Sequence, residues 1–157
     1  MQIIIRKMEN DPEIRGKAYV HWSCWHEAYA GGVSAAYLEK LTLEKCEQMA
    51  FQWRDNILVA MDGERVVGFA GYGEAAPNTG ELFALYVLKE YRGTGAAQAL
   101  MQAALEQLSH YQKIGLWVLK ENPRAIRFYE KCGFRKTGEG QYLPSVGATE
   151  IRMICMR

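Results

Sequence analysis

The residues of this chain best suited to chemistry are Tyr91-Arg92-Gly93-Thr94-Gly95-Ala96-Ala97, which join a strand-like run, Glu81 to Leu88, to a helix-like run beginning near Ala96. A strand that turns through glycines into a helix makes an anion site. The N–H groups of the turn and first helical residues have no intrahelical acceptor, and the helix dipole adds partial positive charge there. Gly93 and Gly95 permit positive φ and a close approach of backbone to phosphate, and Arg92 can add a charged fork. Spacing separates the phosphate-binding turns. A P-loop closes on Gly-Lys-Ser/Thr, whereas Gly95 is followed by Ala96-Ala97. A dinucleotide fingerprint places a third glycine where this chain has Gln98. What remains is Arg-x-x-Gly-x-Ala, a phosphate cradle of another kind or a plain strand-to-helix turn.

A second segment, Asn122-Pro123-Arg124-Ala125-Ile126-Arg127-Phe128-Tyr129-Glu130-Lys131-Cys132-Gly133-Phe134, reads as a short helix with a defined start and stop. Asn122 suits the N-cap, Pro123 the first turn and Gly133 the C-terminal left-handed position. Together the two segments resemble the signature of the GNAT superfamily of acyl-CoA-dependent N-acetyltransferases. The first is similar to its Arg/Gln-x-x-Gly-x-Gly/Ala loop, and the second to the Asn-x-x-Ala-x-x-Phe-Tyr-Glu-Lys-x-Gly-Phe stretch after its fifth strand. The resemblance covers roughly Leu58 to Arg157 and is looser before that.

The resemblance implies acetyl-CoA as co-substrate, without a metal, and an amine of a small molecule or peptide as acceptor. Pyrophosphate would lie on Arg92, Gly93, Thr94, Gly95, Ala96 and Ala97, and pantetheine along Leu85, Tyr86 and Val87, where a backbone N–H can stabilise the thioester oxygen. Asn122 would meet the cofactor arm, cap its helix, or both. Tyr129 is expected to protonate the leaving thiolate, a phenol of pKa about 10 donating to the conjugate base of a thiol of about 8.5. By periodicity alone it is a member of an apolar helix face. Glu81 is the carboxylate expected to accept the amine proton, although a strand-end glutamate can also be merely solvated. Other family members carry a glutamate on the fifth strand, where this chain has Leu116-Trp117-Val118-Leu119. His26 or a chain of waters is the alternative base. Trp22, Trp25, His26 and Tyr29 fall on one helix face, and Trp25, His26 and Tyr29 are the expected acceptor-site residues; a core stripe has the same spacing. A catalytically weak CoA-binding sensor on the same fold is the competing function, and a homodimer is left open.

Elements of alternating type must position these residues. Gln2 to Met8 reads as a strand, and Asp11 to Ala30 as a helix that Pro12 helps to start and Gly31-Gly32 ends. A second helix, capped by Ser34, is expected to run to about Trp53. Asp62-Gly63 between Ile57–Met61 and Arg65–Gly73 marks a tight hairpin, and residues 75–80 a turn before the Glu81 strand. Ala97, Leu100, Met101, Ala104, Leu105 and Leu108 give the following helix an apolar stripe. Ile114 to Leu119, the region after Phe134, and Glu150 to Met156 complete the strands. A crossover helix after a hairpin implies an α/β (α+β) fold with a mixed sheet, and the resemblance implies the GNAT-type arrangement, mostly antiparallel and flanked by helices.

Composition agrees with this. A chain of 157 residues, 49% hydrophobic and 24% charged, suits a single domain spanning 1–157. A net charge of +1 gives no global field for nucleic acid or an anionic membrane. Cys24, Cys46, Cys132 and Cys155 are scattered, pointing to a reducing, cytoplasmic setting and away from a disulfide framework or zinc site. The opening residues lack a secretory pattern, and no apolar run approaches a membrane span.

Overall fold

A computed structural model describes residues 2–28 and 32–157. Strand β1 (Ile3–Lys7) leads into helix α1 (Asp11–Ala28). The start of α1 is a reciprocal cap: Asn10 Oδ1 accepts from the Glu13 N–H at 3.0 Å, and Glu13 Oε1 accepts from the Glu9 N–H at 2.8 Å. Arg6 pairs with Glu13, which ties β1 to the same corner. Gly16 lets the helix close on the sheet, since a Cβ there would lie 2.7 Å from Val66 Cγ2.

The expected helix from Ser34 to Trp53 is two helices, α2 (Ala35–Lys40) and α3 (Leu43–Gln52). Ser34 does cap the first, its Oγ accepting from the Tyr37 N–H. Thr42 then takes an extended conformation, φ −82° and ψ 160°, and caps α3 by accepting from the Lys45 N–H at 3.1 Å. The break lets Leu41, Cys46 and Ala50 pack on Ile14 and Ala18 of α1 as a cluster separate from the main core.

Strands β2 (Ile57–Asp62) and β3 (Arg65–Ala76) form the expected hairpin. Asp62 pairs with Arg65, so the loop is Gly63-Glu64, with Gly63 at φ +61°. Asn78, at φ +64°, turns the chain into β4 (Thr79–Val87). Helix α4 (Ala96–Gln107) crosses to β5 (Lys113–Leu119), and α5 (Pro123–Lys131) precedes the hairpin of β6 (Arg135–Leu143) and β7 (Ala148–Met156). The seven strands lie in the order β1-β2-β3-β4-β5-β7-β6, with β4 and β5 parallel and the other neighbours antiparallel.

Adjacent residues of β3 show how the sheet is covered. A Cβ on Gly68 would meet Leu100 of α4, whereas Phe69 carries the Lys17 ammonium of α1 4.7 Å from its ring centroid. Successive strand residues point to opposite faces, so α1 and α4 sandwich the sheet. Leu100, Met101 and Ala104 from the predicted stripe join Val59, Phe69, Leu82, Ile114 and Met153 in the main core. Among the described residues, no helix is long and apolar enough to cross a membrane.

Candidate active site

Strands β4 and β5 form a fork. Their parallel ladder runs from Thr79↔Lys113 to Leu82↔Leu116, while the strands themselves continue to Val87 and Leu119. Each prong is held from outside, β4 by β3 as far as Val87↔Gly68 and β5 by β7 as far as Leu119↔Glu150. The register of β3 and β4 steps from Gly71↔Ala84 to Tyr72↔Leu82, leaving Phe83 as an extra residue. Such a bulge bends and twists its strand, and here it sits where β4 leaves β5. The resulting cleft of about 1140 Å³ is lined by Leu82 to Val87, by Trp117 to Leu119, by the glycine loop and by Asn122 and Tyr129.

The backbone of β4 is presented to this cleft. The Leu88 N–H donates to Val67 O at 2.9 Å, so it faces β3. Alternation along the strand turns the N–H groups of Val87 and Leu85 the other way, into the fork. Tyr86 spends its side chain on packing, with ring centroids 5.6 Å from Phe69 and 6.3 Å from His21. The Val87 carbonyl accepts from the Cys24 thiol at 3.4 Å. Burial is the main cause that pushes this thiol up to about 12, so it stays protonated as a donor.

The glycine loop stands at the mouth of the fork. A short helical turn at Lys89–Tyr91, unforeseen in the sequence, precedes it and is anchored by the Tyr91 hydroxyl donating to Asp62 Oδ2 at 2.6 Å. Gly93 and Gly95 have φ of +79° and +87°, and an added Cβ would meet nothing within 4 Å at either. Conformation rather than crowding therefore selects glycine. Thr94 Oγ1 donates to Tyr91 O at 2.6 Å and accepts from the Ala96 N–H at 3.3 Å. Ala96, Ala97 and Gln98 open α4, whose first-turn N–H groups have no acceptor within the helix. Arg92 lines the cleft but is not aimed freely at a ligand, because its guanidinium pairs with Glu27 of α1 at 3.0 Å.

On the opposite wall, Asn122 Oδ1 accepts from the Ala125 N–H at 3.2 Å, which confirms the cap of α5. Tyr129 is 9% exposed, lines the cleft, and is wedged edge-on between Phe128 and Phe134 with centroids 5.6 and 6.1 Å away.

Glu81 lies one residue before the fork opens. It is 4% exposed and does not itself line the cleft. Arg152 Nη1 donates to its Oε2 at 2.8 Å, while Oε1 is buried and has no hydrogen-bond partner among the described residues. His26 is not brought to the cleft. Its Nδ1 lies 2.9 Å from Trp22 O and its Nε2 2.8 Å from Leu38 O. With both nitrogens against carbonyl oxygens, the ring ties α1 to α2 and has no lone pair directed at an amine. Trp25 does line the cleft and packs on Tyr37, while Trp22 packs in the α1–α3 cluster. Tyr29 lies outside the described residues.

Ser34 N–H donates to Val146 O at 2.7 Å, and Gly147 packs so closely that its Cβ would lie 2.8 Å from Ser34 Cβ. Val33, Leu119, Val146 and Ala148 form an apolar cluster joined by Trp25, Tyr37, Tyr86 and Leu143. The segment entering α2 and the β6–β7 loop are thereby clasped across the prongs. Arg152, Glu27, Trp117 and Tyr37 were not singled out by local sequence patterns, because their roles arise from partners distant along the chain. Among the described residues, no group of three or more His, Cys, Asp or Glu could hold a metal ion.

Residues 11–134 match the acetyltransferase (GNAT) family. An uncharacterized N-acetyltransferase of Mycobacterium bovis is 40% identical over 87 residues, 54% of this chain and 56% of that protein. The match thus spans little more than half the length of that relative. The uncharacterized N-acetyltransferase YuaI of Bacillus subtilis is 30% identical over 141 residues, 83% of this chain and 79% of its own. Among solved structures, the PaiA N-acetyltransferase of Thermoplasma acidophilum, determined with coenzyme A, superposes with a TM-score of 0.78 over 100% of both chains at 24% identity. The chain belongs to the acetyltransferase (GNAT) family.

Proposed function

We propose that this protein is a single-domain, acetyl-CoA-dependent N-acetyltransferase that acts on a primary amine of a small molecule or peptide. The observation that carries the reading is the fork itself: two strands part after Leu82↔Leu116, with a positive-φ glycine loop and helix N-terminus at its mouth and Tyr129 on its wall. The residues fit the co-substrate. The Leu85 and Val87 N–H groups can bond an extended amide-bearing arm as an added strand would, and the N–H groups of Gly93, Gly95, Ala97 and Gln98 suit a pyrophosphate. Asn122 lines the cleft where the arm would pass, while its oxygen caps α5. The free thiols support a reducing, cytoplasmic setting.

When bound, acetyl-CoA supplies an acetyl group activated as a thioester. The protein's own task is to orient it and to move two protons. Glu81 Oε1 receives a proton from the amine, through a water because Glu81 lies below the cleft floor, as the C–N bond forms. The Tyr129 hydroxyl gives its proton to sulfur as the C–S bond breaks, and exchange with solvent resets both groups. A backbone N–H of β4 would stabilise the charge that develops on the carbonyl oxygen.

A panel of small amines and peptides assayed with acetyl-CoA by free-thiol release tests the proposal. Acceptor-dependent thiol release supports it. Binding of CoA without release over a broad panel would instead favour the sensor.

A further inference from the structure

Glu81 is held by neighbours that the transfer chemistry does not consume. Its cross-strand partners are Gly73 on β3 and Gly115 on β5. The space above Gly115 is filled by Arg152: a Cβ there would lie 2.1 Å from Nη2 and 2.5 Å from Cζ. The guanidinium also lies 5.3 Å from the Trp117 ring centroid. It thus runs from β7 over a glycine, along an indole face, and ends on Glu81 Oε2.

Resting on the assignment of Glu81 as proton acceptor, we propose that Arg152 is a positioning residue, seated across Gly115 and against Trp117, that occupies Oε2 and leaves Oε1 as the proton-accepting atom at the base of the fork. Stability alone does not account for this arrangement, because a buried ion pair is commonly no better than apolar side chains of the same volume. An unpartnered carboxylate oxygen in a buried site is costly as well. What the arrangement provides is direction. A carboxylate is symmetric until one oxygen is engaged, and a planar fork stacked on an indole fixes that choice in a way an ammonium cannot. Competing charges nearby are already engaged: Glu74 on β3 accepts from the Tyr111 hydroxyl at 2.8 Å, and Glu150 on β7 accepts from Gln141. Arg152 is the charged group in contact with Glu81 among the described residues.

The experiment compares Gly115→Ala, Arg152→Lys and Arg152→Met with Glu81→Gln and the parent. It measures kcat and kcat/KM against pH, with acetyl-CoA affinity by calorimetry. Gly115→Ala keeps the charge but displaces the flexible end of Arg152, so it remains informative where Arg152→Met fails to fold. The proposal predicts kcat reduced roughly 10- to 100-fold in Gly115→Ala and at least as much in Arg152→Met, with acetyl-CoA affinity within about twofold of the parent. The pH profile of kcat/KM should differ from the parent's in both variants, a readout that a merely structural loss would leave unchanged. Arg152→Lys should recover only part of the rate. Parental kcat and pH profiles in Gly115→Ala and Arg152→Lys, alongside a slow Glu81→Gln, would overturn the role of Arg152 and leave Glu81 as the base. A parental Glu81→Gln would overturn both.

Discussion

At the residue scale, Tyr129 and Glu81 owe their proposed roles to how little freedom they have. Tyr129 is fixed by two phenyl rings, so removing its oxygen should leave its place unchanged. Tyr129→Phe is expected to lower kcat roughly 10- to 1000-fold with acetyl-CoA affinity nearly intact. Steady-state kinetics with a good acceptor check this, and turnover equal to the parent's would remove the tyrosine from the mechanism. The positions of both residues were readable from motif and spacing, but their surroundings were not. Arg152 is 71 residues from Glu81, and only the β4–β5–β7 register brings them together. His26 shows the converse: its type suggested chemistry, yet two carbonyls distant by 4 and 12 residues have claimed its ring.

At the element scale, α1 rests on the sheet through two basic residues, Lys17 buried and His21 half-buried. Lys17 lies over Phe69, and His21 stacks on Tyr86 with its Nδ1 buried and unpartnered among the described residues. Burial, helped by the Lys17 charge, brings His21 down from 6.5 to about 4. Between those values the unfolded chain takes up a proton that the folded chain refuses, so stability must fall as pH drops through that window. The contribution is about 1 kcal/mol per pH unit, and melting curves from pH 7 to 4 should show a shallower decline in His21→Asn. The loop end of α1 is tied differently, by Glu27 on Arg92. An ion pair this exposed is weak, and a bound phosphate would compete with Glu27. Glu27→Gln should therefore tighten acetyl-CoA a few-fold by calorimetry, whereas weaker binding would show that the pair organises the loop. Gly95→Asp should abolish binding, because it strains a φ of +87° and sets a negative charge at the helix N-terminus. The glycine loop, α5 and the hairpin were legible because caps and turns are written locally. The break between α2 and α3 was missed because apolar spacing runs through it, and only Thr42, a residue able to cap, marks the place.

At the scale of the whole molecule, the fold class followed from the order of elements, but the fork did not. Nothing in the sequence of β4 announces that its ladder with β5 ends at Leu82, since the bulge at Phe83 depends on how β3 is paired. Because the fork joins both halves of the sheet, a ligand lying in it should stabilise the protein as a unit. Acetyl-CoA at 100 times its Kd should add about 2.7 kcal/mol, seen as a raised Tm that equal NAD or ATP does not produce. Stabilisation by NAD or ATP instead would contradict the proposed cofactor.

The clasp of Ser34 and Gly147 across the prongs carries a consequence for reach. A groove open along its length can receive an amine displayed anywhere on a broad surface, whereas a bridged one admits a group that can be threaded beneath the span. Peptides with a free N-terminus and slender alkylamines should accordingly be acetylated well ahead of lysines fixed on a folded protein. Gly147→Val, which pushes the two segments apart, should narrow that preference in paired assays of free and surface-bound amines.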